Sequence, residues 1–149
     1  MTEIVLPSHT NQLGTIFGGQ IMAWIDVAAA ISATRHARTV CVTASIDALH
    51  FVAGARVGEV VILHASVNCT HRTSMEIGVR VESENFSSPE RKHIATAYLT
   101  FVSIDGKGKP QKIPQMIPET PEEKRRQKDA LTRRAMRLKL KEELLKKRD

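Results

Sequence analysis

Apolar and polar residues alternate through most of this chain, and one stretch abandons alternation to become almost wholly apolar. In "SMEIGVRVESE" (74–84), Met75, Ile77, Val79 and Val81 alternate with Glu76, Gly78, Arg80 and Glu82. "HIATAYLTFVS" (93–103) repeats the pattern, and "EVVILHASVNCT" (59–70) places Val61, Leu63, Ala65, Val67 and Cys69 on one face. A period of two predicts strands with one buried face. "TVCVTASIDALHF" (39–51) is rich in β-branched residues and reads as a strand as well. The links at 52–58, 71–73 and 85–92 are hairpin-sized. They predict a four-strand antiparallel meander. "EIVL" (3–6) predicts a short opening strand ended by Pro7.

The exception to alternation is residues 18–36, which predict a helix opened by Gly18-Gly19. Its apolar residues occur all round, so other structure should enclose it. Arg35 and His36 near its end suit the negative pole of the helix dipole. One long helix against an antiparallel sheet makes the fold class α+β. "SIDGKGKPQKIPQMIPETPEEKRR" (103–126) holds four prolines and two glycines and reads as a linker. Residues 121–148 favour helix, with two apolar stripes that form no clean coiled-coil seam. The expected organisation is a domain at 1–104, a linker at 105–120 and a basic helical tail at 121–149.

The chain's 149 residues suit one domain with a small core. Its net charge of +6 sits mostly in the tail, where residues 119–149 carry 12 basic and 7 acidic side chains. Mixed signs there argue against a nucleic-acid arm, so no nucleic-acid partner is expected. Cys41 and Cys69 lie in apolar strands without metal-type spacing, which points to reduced thiols, a cytoplasmic setting and no metal site. The six histidines add no metal spacing. The first residues lack a secretory pattern. Residues 18–34 would place Asp26 at a bilayer centre at a cost of about 2.5–3.5 kcal/mol, so no membrane span is expected.

Asp26 poses the chemical question, because a carboxylate in an apolar helix needs partners or a purpose. It lies seven residues beyond Gly19, about two turns or roughly 10 Å along the same helix face. Gly18 and Gly19 offer unpaired N–H groups at the positive end of a dipole, able to hold a phosphate or an oxyanion. Glycines there also serve simply as turn devices. Asn11, seven residues before Gly18, is a loop residue that could fold back or merely make a turn. Small residues Ala23, Ala29, Ala30 and Ala33 would allow close approach of a helix or a ligand. Asp26 is equally readable as a structural acid or a functional one. Asp47 is a competing carboxylate on a strand.

The run "NQLGTIFGGQIMAWID" (11–26) resembles the signature of the hotdog-fold acyl-CoA thioesterases, with Asn11, Gly14, Gly18, Gly19 and Asp26 in order and spacing. "VTASIDALHFVAGARVGE" (42–59) and "HRTSMEIGVRVESEN" (71–85) are similar to the family's next strand and hairpin, and the likeness spans about residues 3–104. Phe17 departs from the pattern, since many members have His there. The resemblance implies a single hotdog domain whose sheet wraps the central helix. It implies that copies pair through their sheets, the site lying between subunits with Asn from one and Asp from the other. Dimers, and hexamers as trimers of dimers, are expected. It also implies an acyl-CoA hydrolase acting in fatty acid metabolism, without a cofactor other than the coenzyme A of its substrate. Asp26 would be general base or, less readily, nucleophile; Asn11 would orient water or thioester. Gly19, with Gly18, would supply the oxyanion N–H groups. Arg72, Thr73 and Ser74 match the family's CoA-contacting segment, although Arg72 also reads as a solvated turn charge.

Two other readings compete. One is a non-catalytic hotdog protein that binds acyl-CoA as a regulator. The other is dehydration of a 3-hydroxyacyl thioester, whose paired His and acid the chain does not display. For the tail, the expectation is either packing across subunits or cations near the CoA nucleotide.

Overall fold

The computed structural model describes residues 1–147. Eight elements follow one another: β1 (Thr2–Ile4), a 3-10 turn (Pro7–His9), α1 (Gly18–Ala37), β2 (Cys41–Ile46), β3 (Val60–Thr70), β4 (Ser74–Glu84), β5 (Arg91–Ser103) and α2 (Pro121–Lys146). The strands form one antiparallel sheet in the order β1-β3-β4-β5-β2. The expected four-strand meander is therefore wrong at one point. β3, β4 and β5 form it, but β2 crosses over to pair with β5 at the far edge. The link from 47 to 59 is long enough for that crossing, so it does not have to close a hairpin with β3.

The inner face of the sheet wraps α1. Ile21, Ile25, Ala28, Ala29 and Ala33 pack on Leu63, Met75, Ile77, Val79, Val81, Leu99 and Phe101 in one buried cluster. The alternation in β4 thus chose its core face correctly. In β3 it fails at the end: a bulge at Asn68 shifts the register, so Cys69 pairs with Glu76 and leaves the Val61 face. The helix stops at Arg38, whose φ of 57° is left-handed and whose N–H bonds to Thr34 O.

α1 is not enclosed on all sides. Met22, Val27 and Ile31 stay exposed on the face away from the sheet. The small-residue face also divides: Ala29 and Ala33 are fully buried against the sheet, Ala23 is exposed and Ala30 half-buried. The outer face of the sheet carries α2. That helix starts with a capping box: Thr120 Oγ1 accepts from Glu123 N, and Glu123 Oε2 accepts from Thr120 N. The segment before it is stitched down rather than free. Ile113 joins the core, its N–H bonds to Arg72 O, and His36 Nε2 reaches Pro114 O at 2.7 Å.

Candidate functional site

The loop before α1 is held by backbone pairing. Ile16 N bonds to Ala55 O, Phe17 N to His9 O, and Asn11 N to Thr15 O. His9 Nδ1 accepts from Leu6 N, and its ring meets Trp24 edge-on at 5.1 Å. Asn11 Oδ1 accepts from Leu13 N, Thr15 N and Thr15 Oγ1 at 2.9–3.3 Å. This is an Asx-type turn. The carbonyl end of Asn11 is thereby occupied. Its Nδ2 makes no hydrogen bond among the described residues, and the residue is exposed.

α1 begins at Phe17 without a side-chain cap. Gln20 N and Ile21 N bond to Phe17 O, whereas the N–H groups of Gly18 and Gly19 find no acceptor among the described residues. A Cβ at Gly19 would lie 2.4 Å from Phe17 Cε1, so that exposed ring would have to swing away, whereas one at Gly18 would make only ordinary contact with the Phe51 ring at 3.5 Å. Leu13, Phe17, Phe51 and Val52 are exposed and give this helix end an apolar rim.

Asp26 lies two turns further along, half-buried, between the sheet side and the open side of α1. Its Oδ1 accepts a 2.6 Å hydrogen bond from Thr43 Oγ1. Thr43 stands on β2 opposite Phe101, so it faces the helix. Asp26 Oδ2 makes no hydrogen bond or ion pair among the described residues. A carboxylate fixed by one hydroxyl at one oxygen and open at the other is oriented without being neutralised. Thr43 was not singled out in the sequence. In a β-branched strand a threonine looks like ordinary strand composition, and only the fold brings it to Asp26.

The predicted groups do not all meet within one protomer. Asp26 and the Gly18–Gly19 N–H groups are separated by about 10 Å along α1. One reacting carbon cannot be about 3 Å from both. Arg72, Thr73 and Ser74 lie further away. Arg72 O binds Ile113 N, and the neighbouring Pro114 O binds His36 at the C-terminal end of α1. Their hairpin is thus at the opposite end of a 20-residue helix from Gly18. Arg72 is exposed. Asp47 is occupied elsewhere, accepting from Arg137 Nη1 at 2.8 Å. Among the described residues, no group of three or more His, Cys, Asp or Glu is placed to hold a metal ion, and no helix is long and apolar enough to cross a membrane.

Residues 13–87 match the thioesterase superfamily, half of the chain. A Bacillus subtilis relative, named an uncharacterized acyl-CoA thioester hydrolase, is 43% identical over 82% of this chain and 71% of its own length. The chain belongs to this family. The family assignment extends to the fold, a hotdog with a C-terminal helix. Mouse acyl-coenzyme A thioesterase 11 is 40% identical over 91% of this chain, but the match spans only 23% of that much longer protein. A hexameric acyl-CoA thioesterase superposes with a TM-score of 0.90 at 47% identity, covering 93% of this chain and 89% of that one. The Staphylococcus aureus acyl-CoA hydrolase, solved with butyryl-CoA, coenzyme A and its disulfide, gives 0.87 at 33% identity, covering 100% and 93%. Variants of that hydrolase carry alanine for an asparagine, an aspartate and a threonine. Their separations, 15 and 17 residues, equal those from Asn11 to Asp26 and from Asp26 to Thr43.

Proposed function

We propose that this protein hydrolyses the thioester of acyl-CoA to a free acid and coenzyme A, at a site shared by two copies of the chain. The observation that carries the reading is Asp26: Thr43 aligns one oxygen at 2.6 Å and the other is open. Asp26 of one copy takes a proton from water, and the hydroxide adds to the thioester carbon. The oxygen of that carbonyl gains the negative charge and is met by the N–H of Gly19, with Gly18, from the second copy. Asn11 Nδ2, left free by its own turn, belongs to the same copy as the glycines and orients the thioester or the water. The C–S bond then breaks, and the carboxylic acid of Asp26 returns its proton to the departing thiolate. The scheme uses water and groups of the protein alone.

Two features support a paired site. The 10 Å gap between acid and oxyanion donors needs a second copy to close it. The protomer also leaves open an apolar α1 face and the β2 edge, where strand groups and Val42 are uncovered. Pairing at β2 would extend the sheet and bring the two α1 faces together. Arg72, Thr73 and Ser74 are assigned to the nucleotide end of CoA, which is far longer than the thioester group, and a hairpin remote from Gly18 suits that role. Free Cys41 and Cys69 suit a reducing, cytoplasmic compartment.

The alternative, an acyl-CoA sensor without turnover, gives no purpose to a carboxylate held open. Thiol release over a panel of acyl-CoA chain lengths decides between them. Wild type should turn over and Asp26→Asn should not. Saturable binding without thiol release by the wild type would establish the sensor instead.

A further inference from the structure

α2 crosses the outer face of the sheet and does not stop at its edge. Arg126 Nη1 bonds to Ser66 on β3, Arg133 to Glu76 on β4, and Arg137 to Asp47, the residue after β2. Eleven residues of helix cover about 16 Å. The three steps from β3 to β2 span about 14 Å. α2 therefore runs nearly perpendicular to the strands and reaches the β2 edge at Arg137. Its helix continues to Lys146, about 14 Å further, or roughly three more strand widths.

The protomer's own β2 does not pack tightly against that continuation. Leu138, Leu140, Leu144 and Leu145 are each more than half exposed. Between this overhang and β2 is an open groove of about 780 Å³. Its sheet side mixes Ala44, Ile46 and Ala48 with Ser45 and Thr100, and its α2 side sets leucines beside Arg134 and Lys141. Anchoring also ends there: no hydrogen bond from residues 138–147 reaches the sheet among the described residues.

We propose that the overhang Leu138–Lys146 clasps a second copy of this chain joined at β2, each copy's helix entering the other's groove. This rests on the pairing proposed above. A sheet continued past β2 lies where the overhang passes, within its length. A two-fold contact requires the same patch on both sides. Leucine overhang against leucine-walled groove meets that requirement. The predicted tail packing across subunits thus gains a proposed location. α2 is fixed to its own sheet by Arg126, Arg133 and Arg137, and its last turns belong to the neighbour.

The test uses the full chain with Leu140→Glu and Leu144→Glu together. Both positions are exposed, so circular dichroism should show unchanged helix content. Sedimentation over a dilution series should show at least a tenfold weaker pairing of subunits. Phe86→Ser, on the exposed β4–β5 hairpin, should leave it unchanged. Hydrogen exchange gives a second readout: amides of 138–146 should be protected in the wild-type assembly and lose protection on dilution to monomer. Unchanged pairing in the double variant, or free exchange of 138–146 in the wild-type assembly, overturns the proposal. So does loss of higher assemblies with dimers intact, because the overhang would then join dimers rather than subunits at β2. Thiol release by the wild type is measured separately, so failure of the catalytic reading is told apart from failure of the clasp.

Discussion

Asp26 and Glu76 both interrupt sequences that build the core, yet the two faces of the sheet treat them oppositely. Glu76 is only 2% exposed and receives Arg133 Nη2 at 2.6 Å, Arg137 Nη1 at 3.0 Å and Asn68 Nδ2 at 3.1 Å. Arg133 Cζ also lies over the Tyr98 ring, 3.6 Å from its centre. Burial alone would raise the Glu76 carboxyl, but hydrogen bonds from Arg133 and Asn68 and the Arg133 charge outweigh it and hold it below the ordinary glutamate range. Asp26 has one hydroxyl and an open oxygen. A fully satisfied acid fastens structure and an incompletely satisfied one is left for chemistry.

The largest expected effect separates them by activity. Asp26→Asn should cut thiol release by about 10²–10⁴-fold, the usual worth of a positioned general base, with the melting temperature unchanged. Glu76→Ala should do the reverse. It leaves Arg133 without its carboxylate and Arg137 with Asp47 alone, and should cost about 3–5 kcal/mol in denaturant unfolding. Thiol release per folded molecule should remain if the two faces are independent; loss of turnover in a folded Glu76→Ala protein would break the comparison.

Acid should act on the Glu76 side selectively. Its carboxyl ionises at a lower pH when folded than the unfolded value of about 4.3, so its stabilisation is complete above that value. It is lost as pH falls through the depressed folded value. Release of α2, followed by exchange of the amides of 121–137, should therefore begin below about pH 4.3 and be absent from Glu76→Gln.

Smaller effects sharpen each side. Thr43→Ala should lower turnover by about tenfold, the worth of one hydrogen bond to a charged group, and leave the affinity for acyl-CoA little changed. Gly78→Ala should place a Cβ 2.6 Å from Asn68 Nδ2 and push that side chain off Glu76. About 1–2 kcal/mol of stability should be lost in thermal unfolding, with turnover intact.

Local pattern was enough for some of this. Alternation in "SMEIGVRVESE" marked the core face of β4, because neighbouring side chains on a strand must point to opposite sides. The Gly18-Gly19 opening and the length of α1 followed from the apolar run beginning there. Asn11, the glycine pair and Asp26 could be named as candidates because the family resemblance rests on their spacing within one stretch of chain. The Asn68 bulge was not legible, since an extra residue in a strand leaves the composition unchanged and only the ladder reveals it. Nor was Glu76's burial, which depends on a helix 57 residues away in sequence.

The sequence by itself determined the main elements, the inward face of β4 and the order of the candidate catalytic groups, all of which follow from patterns among residues close in the chain. Tertiary structure alone decided that β2 pairs with β5, that Thr43 meets Asp26, that Glu76 is clamped under α2 and that α2 overruns the β2 edge. Each of these joins segments distant in sequence. Such contacts are chosen by competition among all the surfaces the chain must bury, which no local pattern records.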